Sequence, residues 1–123
     1  MAALGRAAQR TNILRDLDQD AANGRIYLPP ETAAHLASPD RAVRDRAFRQ
    51  QIAIADRLYE EGQEGIRSLR TGRRGIALCA ALYREILRQI ERDGFRRGAP
   101  PTVVPSWRRR LIVARYRFAP VVP

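Results

Sequence analysis

Gln9, Asn12, Asp16 and Asp20 stand at i, i+3, i+7 and i+11, and on a helix of 3.6 residues per turn that spacing projects all four side chains from one face. The result is a polar stripe ending in two carboxylates one turn apart. Residues at i and i+4 have Cβ atoms about 6 Å apart, a separation across which a hard divalent cation is shared, and Asn12 adds a neutral oxygen one turn earlier. Magnesium suits such a set, because it binds few carboxylates, retains waters and favours phosphate oxygens. A solvated acidic helix face has the same pattern, so spacing alone leaves both readings open.

The elements that must carry this stripe are helical. Residues 2–22 read as one helix with Leu4, Ala8, Ile13, Leu17 and Ala21 as its apolar face, Asp18 turned to solvent, and Asn23-Gly24 as the stop. Two prolines make residues 25–30 an extended connection. A short helix follows over 31–37, with the lone His35 exposed and too isolated to hold a metal. Ser38 as cap and Pro39 in the first turn then open a long core helix running to Leu69 through Val43, Phe48, Ile52, Ala55, Tyr59 and Ile66. Thr71–Gly75 breaks it. Residues 76–93 resume the period with Cys79, Tyr83, Leu87 and Ile90 inward, which makes Cys79 a buried packing residue. A proline-rich linker over 98–105 leads to a last amphipathic piece bearing Trp107, Leu111, Ala114 and Phe118, and residues 120–123 should fray. The fold class is all-α, with residues 1–119 as one unit.

Composition narrows the partners. All 23 basic residues are arginine, against 13 acids, for a net charge of +10. The excess is C-terminal: residues 71–123 hold 12 Arg and 3 acids, a net +9. The exclusive use of Arg, with abundant Ala, points to a GC-rich bacterial coding sequence. A small basic nucleic-acid-binding module is the rival class, but Arg is spread over several helices, aromatic interleaving is sparse and the acidic stripe repels phosphate, so no nucleic-acid partner is expected. One cysteine excludes an internal disulfide and suits a cytoplasmic location. No 18-residue apolar run is present, so any membrane contact is peripheral, on the inner face. For the segment Trp107–Phe118, lying on an anionic bilayer and packing on the preceding helices with its arginines solvated are both open.

The run Gln9-x-x-Asn12-x-x-Arg15-Asp16-x-x-x-Asp20, followed by Gly24-Arg25-Ile26-Tyr27-Leu28-Pro29, resembles the second aspartate-rich motif of the squalene/phytoene synthase family and its following turn. The similarity continues through Leu82-Tyr83-Arg84-Glu85-Ile86-Leu87 to Gly94-Phe95. It implies the C-terminal portion of an isoprenoid (terpenoid) synthase helical fold, closest to the phytoene synthase branch. The expected chemistry is head-to-head condensation of two geranylgeranyl diphosphates through a cyclopropyl diphosphate, with squalene or presqualene diphosphate synthesis from farnesyl diphosphate as the alternative. The resemblance makes Asn12, Asp16 and Asp20 the magnesium ligands, and Asp16, Asp20 and Arg15 the catalytic set. Gln9, Asn12, Arg15, Tyr27 and Tyr83 become substrate contacts. Tyr27 has a second reading, packing the turn under the helix, and Tyr83 another as a core tyrosine. Relatives use a basic residue beyond Gly94 for diphosphate, but Pro100-Pro101 breaks that pattern and leaves Arg96, Arg97 or neither. The family's first aspartate-rich motif has no counterpart here, so the N-terminal half of the enzyme is expected to be missing and the chain inactive alone.

Overall fold

In a computed structural model of the chain, residues 2–97 and 102–118 are described; the linker at 98–101 and the tail beyond Phe118 lie outside them. The described residues form six helices and no strand: α1 (Ala2–Arg15), α2 (Leu17–Ala22), α3 (Pro30–Leu36), α4 (Arg41–Arg67), α5 (Arg73–Arg92) and α6 (Ser106–Phe118). The long helix α4 is the spine. Helix α1 lies across α4 and α5, α3 packs on α4, and α6 rests on α5.

The core is apolar surface that helical spacing brings together. Phe48, Ile52, Ala55 and Tyr59 of α4 meet Ala7 and Leu14 of α1, Leu36 of α3 and Leu87 and Ile90 of α5. Helix α1 comes close to α4 because position 62 is glycine: a Cβ there would overlap the Leu4 side chain. Helix α5 ends on Gly94 (φ 75°) and Phe95 (φ 57°), both left-handed. An aromatic residue in that region costs on the order of 1–3 kcal/mol. Burial offsets it, since Phe95 stacks on Phe48 with centroids 5.4 Å apart and is 6% exposed.

Several sequence expectations change. The single helix over 2–22 is interrupted at Asp16, whose φ of −103° and ψ of 14° leave the α region. The buried face of α1 is Ala3, Ala7, Thr11 and Leu14 rather than the set Leu4, Ala8 and Ile13. Helix α4 is capped by Asp40, which accepts from the Ala42 N–H at 3.0 Å, while Ser38 Oγ accepts from the Asp40 N–H one step earlier. Ser38 therefore shapes the approach and Asp40 makes the cap. Cys79 is exposed, not packed. His35 is exposed as read from the sequence.

Polar ties complete the frame. Asp56 of α4 accepts from Arg84 (2.9 Å) and Arg88 (2.6 Å) of α5, and Glu85 of α5 meets Arg108 of α6 at 3.5 Å. Asp18, expected in solvent, is paired: Arg97 Nη2 lies 2.7 Å from it and Arg97 Nη1 donates to the Leu36 carbonyl at 2.7 Å.

Candidate functional site

The acidic stripe begins on the most firmly seated part of the chain. Thr11, fully buried, donates its hydroxyl to the Ala7 carbonyl at 2.8 Å. With that proton committed, the Tyr59 hydroxyl 2.7 Å away donates to Thr11 Oγ1. This pair of bonds fixes the rotation of α1 against α4, and with it the direction of the next residue, Asn12. Burial raises the Tyr59 pKa above its ordinary 10.0, an effect that the Thr11 bond partly opposes.

Asn12 Oδ1 is buried and has no hydrogen-bond partner. A buried amide oxygen left so costs on the order of 1–3 kcal/mol, so the position calls for a donor or a cation. One turn on, Asp16 is gripped by its neighbour: Arg15 Nε donates to Oδ1 at 2.9 Å and Nη2 to Oδ2 at 3.1 Å. The bidentate bond with Asp16 raises the Arg15 pKa against the lowering by burial. Tyr83 is 37% exposed, so it is not a core tyrosine.

The break at Asp16 does not scatter the stripe. The Asp16 N–H still donates to the Asn12 carbonyl at 2.9 Å, and the Asp20 N–H to the Asp16 carbonyl at 2.8 Å. Asn12, Asp16 and Asp20 therefore remain one turn apart, and both carboxylates are half-buried. Among the described residues no three His, Cys, Asp or Glu side chains converge, so this face offers two carboxylates and an orphaned amide oxygen. That donor set fits magnesium, which keeps waters and takes substrate phosphates as its remaining ligands.

Other expected residues lie apart. Gln9 is exposed on α1. Tyr27 is 58% exposed, which removes its reading as a packed turn residue; Leu28 takes that place, partly buried against the core. Arg97 is engaged with Asp18 and Leu36, and Arg96 reaches Asp93 at 3.5 Å. Sequence reasoning missed Thr11 and Tyr59 as supports of the site. The signal was present in Ala3, Ala7 and Thr11, whose four-residue spacing continues an inward face.

The all-helical arrangement, with the aspartate-bearing helix against a long central helix, is consistent with an isoprenoid-synthase type of fold. Residues 1–114 match the family described as squalene/phytoene synthase, and the chain belongs to that family. It is similar to a 15-cis-phytoene synthase of Synechococcus elongatus, 40% identical over 87% of this chain and 38% of the relative. A phytoene synthase of Thermus thermophilus is 34% identical over 98% of this chain and 44% of its own length. A presqualene diphosphate synthase of Sinorhizobium fredii is 34% identical over 92% and 44%. The chain thus spans less than half the length of these relatives. No solved structure matches it.

Proposed function

We propose that this chain is the part of a phytoene synthase-type prenyltransferase that holds a substrate diphosphate through magnesium. The observation that carries the reading is the orphaned Asn12 Oδ1, one turn before Asp16 and two before Asp20. Asn12, Asp16 and Asp20 would hold the ion, which when bound neutralises the diphosphate oxygens as they leave an allylic carbon. Arg15 supplies a planar fork for the same oxygens, and Tyr83, exposed on α5, is a further substrate contact by resemblance. The substrates are those that the resemblance to the phytoene synthase branch implies: two geranylgeranyl diphosphates joined head to head through a cyclopropyl diphosphate. The presqualene diphosphate synthase among the relatives supports presqualene diphosphate synthesis as a second reading.

A cation formed in that step needs an enclosed apolar cavity and a second acidic motif facing the first. Asp56 and Glu60 of α4, also one turn apart, are taken up by Arg84 and Arg88, so the complete reaction calls on a complementary segment equivalent to the rest of the relatives. Prenyl tails partition into lipid, and a peripheral contact with lipid is part of this reading; no described helix is long and apolar enough to cross a membrane.

Titration of the chain with magnesium and a non-hydrolysable prenyl diphosphate tests the site. Metal-dependent binding is expected in the wild type and a loss of tenfold or so, at least, in Asp16→Asn. Equal affinity in the two eliminates the metal assignment. With geranylgeranyl diphosphate itself, the chain alone is expected to bind without releasing pyrophosphate.

A further inference from the structure

Helix α6 packs with its apolar stripe outward. Its half-buried residues are Arg108, Ile112 and Tyr116, at i, i+4 and i+8, and they form the side that meets α5. Arg108 is tied there to Glu85 at 3.5 Å, and the Tyr116 carbonyl accepts from Arg74. The outward side exposes Trp107 (60%) and Leu111 (60%), one turn apart. Ala114, Arg109, Arg110, Arg115 and Arg117 surround them, all exposed. Packing on the preceding helices, one of the two readings from sequence, therefore does occur but leaves the large apolar side chains in water.

We propose that this face of α6 docks on an anionic lipid surface. Residues 102–118 contain five arginines and no acid, so a second copy of the helix would set arginine against arginine. An anionic bilayer satisfies both halves of the surface. Its phosphates take the guanidinium groups, while Trp107 and Leu111, with Ala114 beside them, enter the boundary between headgroups and acyl chains. Indole suits that boundary, having an apolar body and one polar N–H. A 13-residue helix is ~20 Å long and lies in the plane of the bilayer without crossing it. The contact rests on the reaction proposed above for its purpose, which is to bring the site to where prenyl tails reside, but its geometry is independent of the acidic stripe.

Trp107 is the only tryptophan, so its fluorescence reports α6 directly. The chain is mixed with vesicles of phosphatidylcholine alone or with added phosphatidylglycerol, without magnesium or prenyl diphosphate. The expected result is a blue shift and co-flotation with the anionic vesicles only, reversed by high salt. Leu111→Glu, and Arg110→Gln with Arg115→Gln, should each weaken binding at least tenfold with unchanged circular dichroism, since these side chains are exposed. Equal binding to both vesicle types, or no shift with either, overturns the proposal. A concentration-dependent blue shift without lipid, with sedimentation as a dimer, overturns it in favour of self-association. A shift with a double-stranded oligonucleotide as large as that with anionic vesicles does so in favour of charge alone. The magnesium titration fails or succeeds separately, so lipid binding without diphosphate binding removes the reaction reading and leaves the surface standing.

Discussion

Helices α1 and α2 are consecutive and share one acidic stripe, yet they are held by different forces. Helix α1 buries Ala3, Ala7, Thr11 and Leu14 and is keyed to α4 by the Gly62 notch and the Tyr59–Thr11 bond. Helix α2 buries none of its six residues; Leu17 is only partly covered, and its firmest tie is Asp18 to Arg97. Asn12 is therefore placed by the core and Asp20 by a helix free to adjust, with the backbone break at Asp16 between them. A site that must close on a ligand divides naturally this way, because rigid packing presents the first oxygen and a weakly held segment brings the last.

Truncation separates the two regions most sharply. Leu14 is 5% exposed and touches a packed core, so Leu14→Ala should cost about 3 kcal/mol in urea unfolding. Asp18→Asn removes an ion pair whose carboxylate is 43% exposed, and should cost less than about 1 kcal/mol while speeding amide exchange in α2 alone. Equal losses in the two variants would mean that α2 is as much part of the core as α1.

Tyr59→Phe probes the α1 side more gently. It removes one buried bond, and a cost of about 1 kcal/mol follows, since Thr11 keeps the Ala7 carbonyl. The pH dependence carries a sign. The folded pKa of Tyr59 lies above its ordinary 10.0 because burial disfavours the phenolate. Its contribution is thus fully present below pH 10 and is lost as pH rises through the folded value. The stability difference between wild type and Tyr59→Phe should shrink at alkaline pH. A difference that grows above pH 10 would show that the hydroxyl is not buried against Thr11.

The same contrast explains what was legible in the sequence. Periodicity located α4 and α5 because their stripes are long and continuous, and Phe48, Ile52, Leu87 and Ile90 are buried as read. It misplaced Cys79 and Tyr83, which continue the Leu87–Ile90 stripe past the point where other helices cover it. Repetition along a helix says which residues share a face, but not where the neighbour ends. The break at Asp16 has no glycine or proline to announce it, and it falls where the firmly packed α1 gives way to α2. The spacing of Asn12, Asp16 and Asp20 survived because the backbone bonds through the break keep the one-turn register. Thr11 was hidden by its type, a hydroxyl in a position that the alanine spacing marks as inward.

The smallest expected effect tests the junction itself. Arg15 occupies both oxygens of Asp16, the carboxylate proposed to face the metal, so the cation must be displaced, or the fork redirected to diphosphate, when the site loads. The two side chains are 32% and 28% exposed, and a pair so placed contributes no more than about 1 kcal/mol, a factor of about five. Arg15→Gln should accordingly bind magnesium alone up to about fivefold more tightly, yet bind the magnesium–diphosphate pair less well, because the phosphate partner has gone. Removing a positive charge favours any cation nearby, and Arg15→Lys separates that general effect from occupancy of the carboxylate: it keeps the charge but cannot span both oxygens. Tighter magnesium binding in both variants assigns the competition to the bidentate grip, whereas tightening in Arg15→Gln alone assigns it to the field. If magnesium binding weakens in both, Arg15 orients Asp16 for the metal rather than contesting it, and the exchange proposed at this junction is wrong.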